Sequence, residues 1–284
     1  MSESSSIPGP SDVSVSVIEI LDASDPRVSA FADIRERELA AREGLFVGET
    51  LVVLEAMLAK AETIRAVLAS GRMLDRTRAV LAAAHCTAPL YTATDAVLEA
   101  LTGIDLHRGV LATAVRAPFE AIHPATWNPA SQPRTVLVAE DITNIDNIGQ
   151  LFRIAAAFAV DAVLLSPTCH DPLYRKSLRV STGNALKVQA LRAQHWPDDL
   201  VALRARFGFD IVVTAIQSSV PIAAIGEPER VAIVVGHEGN GVSPEVRALA
   251  DHVVRIPIAA GVDSLNVAVS AAIALDRLSR GERV

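Results

Sequence analysis

The sequence predicts an α/β protein in two parts: a C-terminal domain built on a parallel sheet, preceded by a smaller α/β module. Three observations lead to this prediction. The 284 residues exceed the length of one average domain. Residues 116–134 contain four prolines and no helical or alternating apolar period, which makes them the best linker candidate. After them, short β-branched runs alternate with helix-length segments, as in a buried parallel sheet with crossover helices.

The part before the linker is predicted to contain a tail and a folded module. Residues 1–24 are the tail and lead-in, because the first ten have neither the basic nor the apolar region of a signal peptide. Residues 25–115 form the module, in which the Arg- and Glu-rich stretch 26–43 predicts an exposed helix. Its other predicted elements are a helix at 51–58, short strands at 64–68 and 88–91, and a helix over 94–101 that opens with a capping Thr or Asp.

The C-terminal domain, residues 135–284, is predicted to hold five buried strands separated by helices. Its first helix carries an apolar stripe over 148–159, and Asn147 is placed to cap it. The β-branched runs that predict the strands lie at 135–138, 162–165, 210–216, 231–235 and 252–256.

Two further helices of this domain show clear starts. Ser243-Pro244 is typical of an N-cap followed by the first helical residue. The last helix, from Ser264 to about Arg280, is apolar nearly all round until Asp276, so we expect it to be buried, in part against a second subunit.

The composition is that of an ordinary globular protein. Half of the residues are hydrophobic, the mean hydropathy is +0.33, and no apolar run approaches the roughly 18 residues that span a bilayer. We therefore expect a soluble, cytoplasmic protein without a membrane partner. Cys86 and Cys169 are far apart, and the seven histidines are scattered, so we expect inert buried thiols and no metal site.

The charge balance argues against an RNA partner at first sight. The formal net charge is -7, and the sequence pI is about 5.5, whereas phosphate binders are usually basic. The acidity is mostly N-terminal: ten basic residues stand against 16 acidic ones up to residue 115, and 16 against 17 after it. Local basic clusters at 72–78 and 175–187 could still contact phosphates, although a solvated helix face explains such runs equally well.

The first candidate site is a turn from strand to helix. Asp141-Ile-Thr-Asn144 ends a predicted strand, and Asn147-Ile-Gly149 leads into the helix that carries Arg153. Ligands bind at the carboxyl ends of parallel strands, so Asn147 and Arg153 are candidates for chemistry. Spacing alone also permits the plainer interpretation that Asn147 caps the helix and that Arg153 is only an exposed residue on its solvated surface.

The second candidate site is a loop with three glycines in six residues, Gly236-His-Glu-Gly-Asn-Gly241, after a buried strand. Glycine permits positive φ and a close approach of the backbone to a ligand. The order of the glycines is neither that of a Walker loop nor that of the Rossmann fingerprint. A plain turn is the alternative, but a lone acid, Glu238, in such a loop favours a binding role.

The third candidate site follows Ile256-Pro257, which closes the last predicted strand. Ser264 begins the last helix, and an N-cap role is a sufficient explanation for it. Asn266 is flanked by Leu265 and Val267 on a buried helix, where an amide side chain needs hydrogen-bond partners.

In this order and with these gaps, the three segments resemble the signature motifs of the SpoU (TrmH-like) RNA ribose 2'-O-methyltransferases of the SPOUT superfamily. The resemblance covers residues 135–280 and extends more loosely over 45–115, where Leu45–Met57 is similar to the start of that family's ribosomal-protein-like substrate-binding domain. Two departures stand out: Ile145 replaces a common proline, and Gly48-Glu49 inverts the usual order.

The resemblance implies a trefoil knot in the C-terminal domain, a homodimer, S-adenosylmethionine as cofactor and RNA as substrate, with ribosomal RNA favoured over transfer RNA because of the extra N-terminal domain. It assigns five residues to chemistry, Arg153 as the catalytic arginine, with Asn147, Glu238, Ser264 and Asn266 as its polar companions. It assigns the cofactor to the strand ends and knot loops at Thr214, Ala215, Gly236, Ile256 and Leu265.

A free guanidinium is normally never a base, so Arg153 is interpreted as the group that orients the ribose and an adjacent phosphate. Asn147 and Glu238 would then hold its fork in place. Two alternatives remain at this point: a non-catalytic RNA-binding or ribosome-associated module that keeps the fold, and a methyltransferase acting on a small molecule or a protein.

Overall fold

The computed structural model describes residues 15–34, 36–103 and 109–279. The chain divides into two compact units, Met1–Arg116 and Ala117–Val284. The first ten residues, expected to be a disordered tail, lie outside the described part of the chain.

The first unit is built on one five-stranded sheet. Its strands are β1 (Val17–Glu19), β2 (Leu45–Glu49), β3 (Ile64–Ser70), β4 (Leu90–Ala93) and β5 (Val110–Val115), and its helices are α1 (Glu36–Glu43), α2 (Leu51–Met57), α3 (Leu74–Ala83) and α4 (Asp95–Thr102). The strand order is β1-β4-β3-β5-β2, with β1, β4 and β3 parallel and β5 antiparallel to both of its neighbours. The predicted strand at 64–68, the helix at 51–58 and the Thr94 cap are confirmed, since Thr94 Oγ1 accepts from Val97 N.

The prediction of one exposed helix over 26–43 is wrong in its first half. Residues Pro26–Ile34 form a 3-10 helix, and only Glu36–Glu43 is α-helical. Val28 and Phe31 are fully buried in the core of the first unit, because the few apolar residues of this charged stretch fall on one side. β1 also lies within the predicted lead-in, where Ile20 is buried.

The proline-rich segment 116–134 is not a free linker, because several of its apolar side chains are buried and nearly all of it belongs to the second unit. Trp127 is 4% exposed and contacts the ring of Phe207 edge to face, with centroids 5.2 Å apart. Ile122 bridges to Leu191. Prolines remove helical periodicity but do not prevent apolar side chains from burying, which is why the pattern misleads here.

The second unit is built on a six-stranded, all-parallel sheet. Its strands are β6 (Thr135–Ala139), β7 (Ala162–Leu165), β8 (Gln189–Arg192), β9 (Asp210–Thr214), β10 (Val231–Val235) and β11 (His252–Val254). Its helices are α5 (Ile145–Ala157), α6 (Arg175–Val180), α7 (Asp198–Phe207), α8 (Pro244–Ala248) and α9 (Val267–Leu278). The five predicted strands are confirmed with ends shifted by one or two residues. β8 was not predicted, because it is a short edge strand whose two end residues are polar.

The strand order is β11-β9-β10-β6-β7-β8, so the chain builds outward from β6 to β8 and then returns to the other side of the sheet. The order therefore reverses between β6 and β10, and the loops that leave these strands diverge there. Such a reversal leaves a crevice at the carboxyl ends of the strands, where ligands bind in open parallel sheets. The trefoil knot implied by the resemblance stays a prediction.

In the second unit, two predicted helix caps are wrong and one is confirmed. Asn144, not Asn147, caps α5, and its Oδ1 accepts from Asp146 N and Asn147 N. Asn266, not Ser264, caps α9. In both cases the capping residue keeps an extended ψ, at 119° and 141°, and the helix begins only after it. Ser243 caps α8, with Pro244 at the first helical position, as predicted.

Both cysteines are buried and free. Burial raises the pKa of the Cys169 thiol, as expected for an unreactive side chain. Within the described residues, no group of three or more His, Cys, Asp or Glu side chains is arranged to hold a metal ion. No helix in the described ranges has the length and apolar character needed to cross a membrane.

Candidate active site

A cavity of about 290 Å³ lies at the carboxyl ends of β9, β10 and β11. The chain segments that follow these three strands form its walls, together with the start of α9. All five predicted cofactor residues line it: Thr214, Ala215, Gly236, Ile256 and Leu265. Of the predicted polar residues, Glu238 and Ser264 also line it. Residues that are up to 51 positions apart in the sequence therefore share one pocket.

A chain of side-chain hydrogen bonds joins the three sequence motifs beside this cavity. Asn266 Nδ2 donates to Asn147 Oδ1 at 3.0 Å, and Asn147 Nδ2 donates to Glu238 Oε1 at 2.6 Å. Asn147 is 5% exposed, and both ends of its side-chain amide have a hydrogen-bond partner inside the protein, as a buried polar group requires. The resemblance assigned these three residues to one site, and the hydrogen bonds bring them together.

The direction of this hydrogen-bond chain follows from its starting point. Asn266 Oδ1 caps α9 by accepting from Ala268 N at 2.8 Å and Val269 N at 3.4 Å. The other end of that amide must therefore be the donor Nδ2, which requires the oxygen of Asn147 to accept and its nitrogen to face Glu238. An ionised carboxylate at Glu238 accepts from that nitrogen and completes the chain.

The glycine-rich loop, residues 236–241, is shaped by the side chain of His237. His237 Nδ1 accepts from Gly239 N at 2.9 Å and from Asn240 N at 3.3 Å, and His237 O accepts from Gly241 N at 2.8 Å. Because Nδ1 accepts, the neutral ring carries its proton on Nε2. The loop is thus a closed turn that holds Glu238 at the mouth of the cavity.

The three glycines of this loop differ in how strictly the structure requires a glycine. A Cβ on Gly236 would lie 2.4 Å from Gly241 C and Val242 N, so the backbone returns too closely for any side chain. Gly241 has a φ of +68°. Gly239 has neither constraint, since a Cβ there would lie 3.4 Å from the His237 ring.

We expect Gly236→Ala to destabilise the protein by about 1–3 kcal/mol, because two backbone segments must separate to admit the methyl group. The matched control, Gly239→Ala, should change stability by less than about 0.5 kcal/mol. Denaturant unfolding of both variants measures the difference. Equal stability losses would show that the return of the chain at Gly241 does not constrain position 236.

A buried carboxylate that the sequence did not single out ties the first two motifs together. Glu140, directly after β6, is 2% exposed. Its Oε1 accepts from Trp196 Nε1 at 2.8 Å and from Ser243 Oγ at 2.7 Å, and its Oε2 accepts from Ser243 N at 2.8 Å. It therefore fixes the end of β6 against the residue that leaves the glycine-rich loop.

The glycine of the first motif has a packing role. A Cβ on Gly149 would lie 2.8 Å from both Ser177 O and Val180 Cβ, so α5 and α6 approach closely at this position. Lys176 Nζ reaches Asp146 Oδ2 at 2.8 Å across the same pair of helices. These contacts hold the start of α5, and with it Asn147, in place.

Arg153 is the predicted catalytic residue that, within one chain, neither lines the cavity nor bonds to a predicted residue that does so directly or through the hydrogen-bond chain. It is exposed on α5 and is absent from the described lining of the cavity. None of the described residues forms a hydrogen bond or ion pair with its guanidinium. The expected contact of Asn147 and Glu238 with this fork is likewise not made within the chain; the two side chains bond to each other instead.

Six polar residues of the cavity wall were not among the predicted site residues: Gln217, His237, Asn240, Arg247, Arg255 and Ser270. Arg255 directly precedes Ile256 and His237 directly follows Gly236, so position next to a predicted strand end was the available signal. Arg247 lies one turn into α8, and nothing local in the sequence marks it.

Comparison with known proteins agrees with this geometry. Residues 134–276 match the SpoU rRNA Methylase family. A protein of Mycobacterium tuberculosis named as an uncharacterized tRNA/rRNA methyltransferase is 37% identical over 273 residues, which are 93% of this chain and 92% of that protein. The 23S rRNA (guanosine-2'-O-)-methyltransferase RlmB of Acinetobacter baylyi is 31% identical over 182 residues, 63% of this chain and 73% of that protein.

Solved structures share the fold over nearly the whole chain. An RNA 2'-O ribose methyltransferase superposes with a TM-score of 0.75 at 25% identity, covering 92% of this chain and 96% of that one. An AdoMet-bound rRNA methyltransferase from Sinorhizobium meliloti also gives 0.75, at 20% identity, covering 91% of this chain and 96% of that one. The family match, the 37% identical relative and the shared fold lead to one conclusion: this chain belongs to the SpoU family of RNA methyltransferases.

Proposed function

We propose that this protein transfers a methyl group from S-adenosylmethionine to a ribose 2'-hydroxyl of structured RNA in the cytoplasm, and that its substrate is 23S ribosomal RNA. The observation that carries the proposal is the hydrogen-bond chain Asn266–Asn147–Glu238 beside a cavity lined by the glycine-rich loop. Support for the substrate comes from the name of the Acinetobacter relative, and support for the cofactor from the AdoMet-bound structure.

The residues of the cavity fit an adenosyl cofactor. Its volume of about 290 Å³ is near the lower end for small-molecule sites. Apolar walls at Ile216, Ile256 and Leu265 suit a flat base, and Ile216 is 57% exposed, so a ligand would cover it. The glycine-rich loop lines the cavity, so its backbone groups are proposed to hydrogen-bond the cofactor.

When bound, the cofactor supplies an electrophilic methyl on a sulfonium, and the remaining task of the protein is alignment. The hydrogen-bond chain fixes Glu238 at the mouth of the cavity, and Ser264 adds a hydroxyl on the same wall. Alignment of two reactants can account for about 7–11 kcal/mol of barrier reduction. Asn147, Glu238, Ser264 and Asn266 are thus proposed to orient the ribose. Arg153 is proposed to stabilise the 2'-oxygen as it loses its proton to water and bonds to the methyl group, while the sulfonium leaves as a neutral thioether.

Arg153 is proposed to act from the partner subunit of a homodimer. Its guanidinium is exposed and absent from the described cavity lining of its own chain, although α5 packs against α9. α9 lines the cavity and leaves Val269 and Ile273 exposed, at 46% and 36%. Two apolar residues one turn apart on a helix that borders the site suit burial against a second copy of this chain.

The first unit is proposed to bind the RNA substrate. Residues 25–115 were assigned to a substrate-binding domain by resemblance, and the described part of this unit is a separate five-stranded sheet with its own core. A separate RNA-binding domain in the same chain would extend the contact surface with the substrate, and the local basic residues of a net-acidic unit would have to make the phosphate contacts.

The His237 turn provides a test of the cofactor site. We expect His237→Ala to raise the Kd for S-adenosylhomocysteine by about fivefold to tenfold, because two loop amides lose their acceptor. His237→Asn should keep the affinity within about twofold, since an Asn side chain offers an oxygen acceptor at the position of Nδ1. Isothermal titration calorimetry measures both. Equal affinities for the Ala and Asn variants would remove the acceptor role of Nδ1.

The proposed activity is tested by transfer of labelled methyl from S-adenosylmethionine to 23S ribosomal RNA, followed by digestion to nucleosides. The proposal predicts label in a 2'-O-methyl nucleoside. Label in a methylated base would contradict the site of attack. Cofactor binding without transfer to any RNA would contradict the activity, and absence of cofactor binding would favour a non-catalytic RNA-binding module, the alternative suggested by the net charge of -7.

A further inference from the structure

Two arginines of the cavity wall have no assigned role. Arg247 lies on α8 and Arg255 directly after β11, and both line the cavity. Both are half-buried. Neither guanidinium forms an ion pair with any residue that the structure describes. Half-buried cations without an acidic partner are costly to keep in a protein unless a ligand supplies the opposite charge.

The immediate surroundings of Arg247 leave one of its donors unused. Its Nη2 reaches Gln217 Oε1 at 3.5 Å, the long limit for a hydrogen bond. Its Nε is buried and has no hydrogen-bond partner among the described residues. The same Nη2 lies beside the glycine-rich loop, 3.3 Å from where a Cβ on Gly241 would stand. Among the described residues, Arg247 therefore has one long hydrogen bond and no charged acceptor.

Arg255 borders the same stretch of chain. Arg255 N donates to Val220 O at 2.8 Å, and Gln217, the contact of Arg247, lies three residues before Val220. The segment that follows β9 thus lies against both arginines. The acid among the described lining residues is Glu238, whose Oε1 already accepts from Asn147. The described lining therefore carries two positive charges against one negative charge, and Glu238 forms no ion pair with either arginine.

We propose that Arg247 and Arg255 form an anion subsite that binds the α-carboxylate of the methionyl end of the cofactor. The inference rests on the proposed function, because it takes S-adenosylmethionine as the occupant of the cavity. The carboxylate is the one anionic group of that molecule, while its adenosine suits the apolar walls. A guanidinium binds a carboxylate through two parallel hydrogen bonds, which gives orientation as well as affinity.

A carboxylate is favoured over an RNA phosphate as the ligand of these arginines. Their cavity is small, and its wall beside them includes Ile256 and Ile258, apolar residues that do not suit a polyanionic backbone. Held at its carboxylate, the cofactor would have one fixed end, so that its methyl group is placed by the protein rather than by the RNA.

The test compares two neutral thioethers that differ in the amino-acid group. S-adenosylhomocysteine carries the carboxylate, and 5'-methylthioadenosine lacks it. We expect Arg255→Gln and Arg247→Gln each to weaken binding of S-adenosylhomocysteine by about tenfold or more, and to change the affinity for 5'-methylthioadenosine by less than about twofold. Arg255→Lys should lose an intermediate amount, because it keeps the charge but not the fork. Arg78→Gln, on the exposed face of α3, serves as the matched control.

Binding of 5'-methylthioadenosine by each variant also reports that its cavity is intact. Equal losses for the two ligands would overturn the subsite and assign the arginines to the shape of the pocket. Unchanged S-adenosylhomocysteine affinity with weakened RNA binding would overturn it in favour of a phosphate contact. Failure of the wild-type protein to bind either thioether would instead refute the proposed function, on which the subsite depends.

Discussion

Asn147→Asp is expected to lower methyl transfer by about a hundredfold or more and to cost about 2 kcal/mol or more of stability. The side chain keeps its shape but loses the donor that now reaches Glu238 Oε1 at 2.6 Å. Two carboxylates would then face each other at a position that is 5% exposed in the wild type. Their repulsion should push Glu238 away from the cavity mouth and open the glycine-rich loop.

The matched control for this change is Asn144→Asp, three residues earlier. Asn144 caps α5 by accepting two backbone amides, and Asp caps a helix as well as Asn does. The same chemical substitution should therefore be nearly silent there. Urea unfolding and initial rates of methyl transfer, measured for both variants, separate a specific effect of the hydrogen-bond chain from a general effect of added negative charge.

A double variant tests the hydrogen-bond chain itself. Adding Glu238→Gln to Asn147→Asp restores one donor and one acceptor between the two positions, with their polarity reversed. We expect it to recover at least half of the lost stability, a coupling that independent positions would not show. Additive losses in the double variant would mean that the 2.6 Å contact contributes little, and the assembly of the three motifs would then need another explanation.

Arg153→Ala is expected to reduce kcat by about a hundredfold to a thousandfold with almost no change in stability. The stability should hold because the side chain is exposed and contacts no described partner within the chain. The turnover should fall because a guanidinium that stabilises negative charge acts mainly in the transition state. Arg134→Ala, at an exposed position of the second unit outside the described cavity lining, is the control, and single-turnover methylation is the measurement.

Mixed dimers distinguish an arginine acting within its own chain from one acting in the partner. Arg153→Ala and Gly236→Ala subunits are each expected to be nearly inactive alone, the second through its damaged cavity. If Arg153 serves the partner's cavity, a mixed dimer retains one intact pair and regains up to half of the activity per dimer. If it serves its own cavity, each subunit of the mixed dimer lacks one component, and no activity returns.

The sequence was sufficient to place the strands of the second unit, but it predicted the elements of the first unit less well. Buried parallel strands such as β6 and β10 are unbroken apolar runs, so their positions follow from composition alone. The stretch over 26–43 misled because its charged residues outnumber Val28 and Phe31, although those two side chains decide how it packs. The prolines of segment 116–134 misled in the same way, because they predicted a linker where Trp127 is buried.

The site was predictable where a residue type has few alternative uses. Three glycines and an acid in one loop pointed to a binding site, and the structure lines the cavity with Gly236, Glu238 and Gly241. The caps were less predictable, because Asn144 and Asn147 are equally good N-caps and only the backbone decides between them. The sequence gives no signal for Arg247, because its place in the cavity wall depends on how α8 packs near the strand ends in the folded protein.

A crystal structure of the protein with S-adenosylhomocysteine tests the proposed active site most directly. We expect the ligand in the cavity lined by Gly236, Ile256 and Leu265, with Asn147 still bonded to Glu238 and Asn266, and with Arg153 of the second subunit facing the sulfur. A ligand bound elsewhere, or an Arg153 far from the sulfur in both subunits, would contradict the claim that these chain-distant turns form one active site.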